Sequence, residues 1–501
     1  MDWAEDRNTK HQAGDLSASP AADPGERTWM RVPWGKMEQQ VSYLQKRIAH
    51  ASQQGDRGAV HLLQQQLIAS EAARLLAVRR VTEENEGRDT AGVDGVKSPA
   101  PAGRLAMAST IHPANWHRQP ARPVRRVWIP KPGTLERRPL GIFPMIDRCK
   151  QALVKLALEP EWEVQFEPHS YGFRPERGAR DAIRAIAQAI SHQPGYVFDA
   201  DIEQAFDQVN QAVLLEKLHT YPALRQVIRG WLTAGVIDRG TYLPSPRGLV
   251  QGGVLSPLLL NIALHGMETA AIGDTRKQTR EHPFLVRYGD DFVILHTDLH
   301  ILQQAAGRVR QWLTTPGLQL NAQKTRILHT LHPFQGQAGF EFLGFALCQY
   351  SLEPASGKSS GLLRPGRPSG FPQPSSGWRT VITPGNEASK RHLAVVGQRM
   401  RHLQTAPQQQ LIRELNPLIG GWAAYYSGLV ADAVLHYYDE QMEQLLLKWA
   451  SQRHPGTSHD WLRTRYWRQR GEGEQVFAAP EGAALRRYQQ SARAMKAGDV
   501  L

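Results

Sequence analysis

Residues 284–296 read Phe284-Leu-Val-Arg-Tyr-Gly-Asp-Asp-Phe-Val-Ile-Leu-His296. Two apolar runs, Phe284 to Val286 and Phe292 to Leu295, flank Tyr288-Gly289-Asp290-Asp291. The stretch predicts two strands joined by a tight turn. An Asp-Asp dipeptide ordinarily does no more than make a turn. Here the flanks are apolar on both sides, and adjacent acids repel. Placing them at the edge of such a hairpin costs stability unless a cation neutralises them. Hard oxygen ligands with open positions suit Mg²⁺, which takes one or two carboxylates and leaves room for substrate phosphates.

Outward from that hairpin, Tyr196-Val-Phe-Asp-Ala-Asp-Ile202 alternates as a strand does. Tyr196, Phe198, Ala200 and Ile202 fall on one face, and Asp199 and Asp201 on the other. Asp201 thus joins Asp290 and Asp291 as an acid at a strand end. Val124 to Ile129 reads as a strand and Lys131-Pro132-Gly133 as a turn, with helices over 146–158, 178–190 and 211–218. Strands and helices interleave without βαβ regularity, so the fold class is α+β.

Towards the N-terminus, Trp34 to Val81 predicts two helices broken at Gln53-Gln54-Gly55-Asp56-Arg57-Gly58. Arg79 and Arg80 there are open to two readings, a solvated face or a nucleic-acid contact. Ala388 to Trp467 is helical again and predicts a separate, smaller α domain. The chain accordingly divides into a disordered tail (1–28), an N-terminal extension (29–195), and the acid-bearing unit (196–350). A Ser/Gly/Pro-rich linker (351–377), a helical domain (378–470) and a short basic tail (471–501) follow.

Across 501 residues, 41% hydrophobic, the net charge is +13. That excess points to a nucleic-acid partner, or less often to an anionic membrane surface. Cys149 and Cys348 are the whole cysteine complement, which excludes a disulfide framework and a multi-cysteine zinc module. No apolar run approaches the ~18–20 residues of a membrane span, so no membrane partner is expected. The expected location is cytoplasmic, nucleoid-associated when bound to DNA.

Tyr288-Gly-Asp-Asp291, preceded by Asp201-Ile-Glu-Gln-Ala-Phe206, resembles the catalytic core of a reverse transcriptase. More narrowly, the chain resembles the reverse transcriptase–maturases of bacterial group II introns. The likeness runs in order through Leu75 to Thr82, Thr90 to Gly95, Ile129-Pro-Lys131 and Arg138-Pro-Leu-Gly141. It continues through Ser170 to Pro175, Gln251 to Pro257, Lys324-Thr-Arg326 and Phe342 to Phe345. The resemblance implies a right-hand polymerase, fingers and palm, followed by an α-helical thumb/maturase domain.

It further implies that Asp201, Asp290 and Asp291 hold two Mg²⁺ ions, with Mn²⁺ able to substitute, and that Lys324 is a general acid at the leaving group. Lys131 and Arg138 would clamp the dNTP triphosphate. Phe206 would exclude the ribose 2′-hydroxyl, and Gln251 with Gly252 would pass beneath the new base pair. Phe342, Leu343 and Gly344 would form the primer grip, though an apolar strand entering the core reads the same way. Trp422, Tyr425 and Tyr426 share roughly one helix face and would contact intron RNA by stacking, though core packing explains such clusters equally well. The implied partners are group II intron RNA or another RNA template, a DNA primer or target, and dNTPs.

Some positions depart from the family pattern. Gly289 stands where alanine is usual, Leu249-Val250 where Thr-Pro is usual, Phe143 for proline, and Ala205 for cysteine. No cysteine lies beyond Cys348, so a Cys/His-rich HNH endonuclease is not expected, and residues 471–501 read as a possible DNA-binding remnant. Two alternatives stay open: an RNA-binding splicing cofactor with a dispensable polymerase, and a free-standing relative serving host DNA repair or spacer acquisition.

Overall fold

Asp201 and Asp291 meet because two strands ninety residues apart pair in register. The computed structural model describes residues 28–130, 136–273, 282–351, 377–470 and 474–498. The expectations for residues 1–27, for Lys131 and for nearly all of 351–377 lie outside them.

A central antiparallel sheet runs in the order β6 (Phe284–Tyr288), β7 (Asp291–His296), β3 (Tyr196–Asp201), β8 (Arg326–His329). Tyr288 pairs with Asp291, which leaves Gly289 and Asp290 as a two-residue turn, and Gly289 has φ +66°. A glycine with positive φ at the first turn position matches the strand twist. Tyr196 pairs with His296 and Asp201 with Asp291, so the acids gather at one end.

The alternation expected of 196–202 becomes burial on both faces. Phe198, Ala200 and Ile202 enter one core with Leu285, Phe292 and Ile294. Val197 enters another with Val286, Val293 and Leu295, covered by Ile183 and Ile186 of the Ala179–Ile190 helix. Strands covered on both sides lose the inside–outside contrast that marks a half-exposed sheet.

A second sheet runs β2 (Arg137–Ile142), β1 (Val124–Pro130), β4 (Val236–Asp238), β5 (Thr241–Leu243). The N-terminal helices pack against the long Met145–Glu163 helix. They number three rather than two. Ser70, whose side chain accepts from Ala73 N, caps a new helix Glu71–Arg79 and divides it from Arg57–Ala69. The hydroxyl satisfies a backbone donor left orphaned at that helix start.

Glu161 of the long helix is buried and accepts a 2.6 Å hydrogen bond from Gln64 Nε2. Burial pushes its carboxyl from an ordinary 4.5 up to about 7, against the opposing pull of Gln64 and Arg57. The folded chain therefore keeps this proton to higher pH than the unfolded chain. Stability falls as pH rises from 4.5 to about 7, and the cost is fully present above that. The shift corresponds to roughly 3 kcal/mol. Glu161→Gln is expected to raise the melting temperature at pH 8 and leave it nearly unchanged at pH 4.5. Equal shifts at both pH values would refute this.

Beyond the central sheet, β9 (Phe340–Phe342), β10 (Phe345–Ser351) and β11 (Trp378–Pro384) form a third sheet. Phe342 pairs with Phe345, so the stretch 342–345, for which an apolar strand was the alternative to a primer grip, is a hairpin with Leu343 and Gly344 at its tip. The helices Asn386–His402, Gln408–Tyr426 and Asp432–Arg453 follow. They have a core of their own around Leu411, Leu415, Leu435 and Trp449, and they dock on the rest of the chain where Tyr426, Leu429 and Val430 share a core with Phe340, Phe342, Phe345 and Val197.

Residues 474–498 do not behave as a basic tail. β13 (Glu474–Phe477) pairs with β12 (Trp467–Arg470), and the Tyr488–Gly498 helix packs on Gln408–Tyr426. Phe477, Leu485, Tyr488 and Ala492 join the helical core. Interspersed arginines hide that apolar set in the sequence. Among the described residues, no helix is long and apolar enough to cross a membrane.

Candidate active site

Asp201 and Asp291 lie directly opposite each other on paired strands, and Asp290 stands beside them in the turn. Burial, then Asp290, then Asp201 push Asp291 up to about 7. The residue is solvent-exposed, and two other acids crowd its carboxyl. Asp290 is raised by burial and by Asp201, with Arg138 and Lys324 pulling the other way.

Lys324 Nζ donates to Asp201 Oδ2 at 2.7 Å, and this hydrogen bond raises its own pKa. Its loop is tied to the same strand, since Asn321 N donates to Asp201 O at 2.8 Å. The structure thus brings four predicted residues together: Asp201, Asp290, Asp291 and Lys324.

Around them lie the predicted nucleotide contacts. Arg138 is exposed on β2, opposite Ile129. The Phe206 ring meets Phe173 edge-on at 6.2 Å. Phe173 holds φ +62°, and a methyl group built on Gly289 would come within 2.9 Å of its ring. That close approach accounts for glycine at 289.

Gln251 Nε2 donates to Asp207 Oδ2 at 3.1 Å, and Gln251 O accepts from Gly141 N at 2.7 Å. Gly252 has φ +99° and lies against Leu140 and Gly141 O, where a side chain would collide. Leu249 is buried and its N–H donates to Phe206 O. That bond fixes the backbone immediately before Val250, which stands where the family has proline.

A residue overlooked in the sequence sits beneath the turn. Arg287 is 1% exposed. Its Nη1 donates to Asn261 Oδ1 (2.9 Å) and Gly289 O (3.1 Å), and its Nη2 to Ser170 Oγ (2.7 Å). Burial lowers it to about 10, so it stays charged at neutral pH, facing Glu167 and Glu268. The available signal was an arginine inside the apolar run of β6.

Of the residues expected to bind RNA, most are engaged within the fold. Arg79 is engaged within the fold: it pairs with Glu84 at 3.1 Å and lies 4.7 Å over the Trp34 ring. Arg80 is exposed. Trp422 packs among His392, Tyr426, Tyr438 and Tyr488 at 4.2–5.4 Å. Tyr426 is 2% exposed and has no free face for a base, while Trp422 is half-buried within this cluster. Tyr425 is 39% exposed, but its hydroxyl is bonded to Leu343 O. Aromatics on one helix face read identically for core and for RNA.

The three acids suit a hard cation: crowded oxygen donors, with Asp290 and Asp291 pushed up by burial and by their neighbours, and with solvent access. Among the described residues, no group of three His, Cys, Asp or Glu side chains forms a ready-made metal centre. An open carboxylate set is what Mg²⁺ accepts, since it keeps waters and substrate oxygens in its shell.

Comparison with known proteins gives the family. Residues 129–347 match the family described as reverse transcriptase (RNA-dependent DNA polymerase), and 29–111 the N-terminal domain of reverse transcriptase. Residues 389–467 match the group II intron maturase-specific domain. The chain belongs to the group II intron reverse transcriptase–maturases. This reverse transcriptase–maturase is 33% identical to protein YkfC of Escherichia coli over 315 residues, 54% of this chain and 80% of that protein. It is also 33% identical to the group II intron-encoded protein LtrA of Lactococcus lactis over 180 residues, 35% of this chain but only 30% of LtrA. Maturase-like protein 1 of Euglena gracilis is 26% identical over 326 residues, 62% and 64% of the two chains. The enzyme class is RNA-directed DNA polymerase.

Proposed function

We propose that this reverse transcriptase–maturase extends a primer 3′-hydroxyl with dNTPs along an RNA template, and that it serves splicing and mobility of a group II intron. The observation that carries the reading is the register pairing of Asp201 with Asp291 beside Asp290. Three carboxylates at one strand end are the ligands that two Mg²⁺ ions would take. Such ions, when bound, neutralise the acids, activate the 3′-hydroxyl and stabilise the leaving pyrophosphate.

The chain's own groups do the rest. Lys324, held protonated by Asp201, supplies a proton donor to the leaving group. Arg138 offers a guanidinium to the triphosphate. Phe206, braced edge-on by Phe173, bars a ribose 2′-hydroxyl. Gln251, tied to Asp207 and Gly141, lies under the nascent pair.

The test is primer extension on an RNA template with dNTPs and Mg²⁺. Wild type is expected to make full-length cDNA. A folded wild type that binds RNA yet adds no nucleotide would overturn the polymerase reading in favour of a splicing cofactor.

A further inference from the structure

The turn at Leu343-Gly344 is strained and held from outside. Both residues have left-handed backbone, φ 50° and 76°. That pattern is the type I′ turn, whose first central position favours Asn, Asp or Gly, and a leucine there is disfavoured. Strain of this kind persists only where the surroundings over-determine it.

Three donors converge on the two turn carbonyls. Tyr425 Oη donates to Leu343 O at 2.7 Å, Tyr426 Oη to Gly344 O at 2.9 Å, and Gly385 N to Gly344 O at 2.8 Å. Phe345 sits against both tyrosine rings, 5.2 Å and 4.8 Å away. Just before the turn, Glu341 Oε1 accepts from Asn386 N at 2.9 Å.

As core rings the two tyrosines are replaceable by phenylalanine. What the phenols add is two hydrogen bonds to one turn. Tyr438, in the same aromatic cluster, spends its hydroxyl elsewhere, on Ser389 Oγ at 2.6 Å. The turn and the catalytic hairpin meet in one core. Leu343 and Tyr288 pack against the same core.

We infer that Tyr425 and Tyr426 are positioning residues for the primer: their hydroxyls fix the Leu343-Gly344 backbone, so the helical region sets where the primer 3′ end is presented to the three acids. The inference rests on the polymerase reading and on this turn as the part that meets the primer.

Its test is the full chain carrying Tyr425→Phe and Tyr426→Phe together, in single-turnover addition of the first dNTP to a DNA primer annealed to RNA. Tyr438→Phe is the control, since it loses a hydroxyl from the same cluster but not from the turn. The double variant is expected to add the first nucleotide roughly tenfold more slowly. The half-saturating dNTP concentration should stay within about twofold of wild type, because nucleotide binding is untouched. Tyr438→Phe should keep the wild-type rate. A double variant as fast as wild type, or a control slowed equally, overturns the inference while leaving the polymerase reading intact. A wild type that adds nothing overturns both.

Discussion

Asp291→Asn is expected to abolish primer extension while making the metal-free protein more stable. Asp291 is raised by burial, by Asp290 and by Asp201, so its charge is disfavoured in the folded chain when no cation is present. Asparagine keeps the shape, can donate to the Asp201 carboxylate, and removes one of three crowded charges. With the discount that solvent access demands, the gain is about 1 kcal/mol in chelator at pH 8. Activity should move the other way, by roughly 10³-fold or more, because transition-state charge stabilisation at this site depends on the same carboxylate. Asp290→Ala should lose extension equally. Thermal melting in chelator, beside extension in Mg²⁺, reads both quantities. Loss of activity with a lowered melting temperature would mean that the acids hold the fold, and would refute the assignment.

That opposition between stability and chemistry is why the acids were legible in the sequence. Asp290-Asp291 breaks a local rule, acids between apolar strands, and a two-residue glycine turn is encoded by its immediate neighbours. The Asp201 strand was legible for the same local reason. The register that joins it to Asp291 was not, since pairing between β3 and β7 depends on long-range packing.

The failures share a cause. Trp422 and Tyr426 show the same helix face whether they meet RNA or Tyr438 and Phe345. The Leu343-Gly344 turn lacks Asn or Asp beside its glycine and is held by hydroxyls 82 residues away, so no local signal marks it. Residues 474–498 carry their apolar set among arginines, one of which, Arg493, pairs with Asp432. Arg79 is a different case. Glu83 follows at i+4, a pair that was there to be read, whereas Glu84 at i+5 comes within reach only because Arg80–Glu84 winds as a π-helical turn.

Arg287 carries the second large expectation. Its guanidinium serves three acceptors at once, Asn261 Oδ1, Ser170 Oγ and Gly289 O, and the last belongs to the turn that bears Asp290. Arg287→Ala leaves those acceptors unpaired and strands the charges of Glu167 and Glu268 in a buried site. Removing one partner of such a buried network costs about 3–5 kcal/mol, a large share of the ~5–15 kcal/mol by which folded proteins are stable. Arg287→Lys is the sharper experiment. Lysine keeps the charge, but one ammonium on a flexible stem cannot reproduce a planar fork reaching three acceptors. The lysine variant is expected to fold with a loss of about 1–3 kcal/mol. Its extension rate should fall by up to ~10²-fold, because the Gly289 carbonyl, and with it Asp290, is no longer held in place. Asn261→Ala should weaken the same clamp from its other side, with a smaller loss in both measurements. Melting and primer extension on the three variants separate the outcomes. If Arg287→Lys melts and extends as wild type does, charge alone suffices beneath the turn, and the forked clamp has no part in setting the acids.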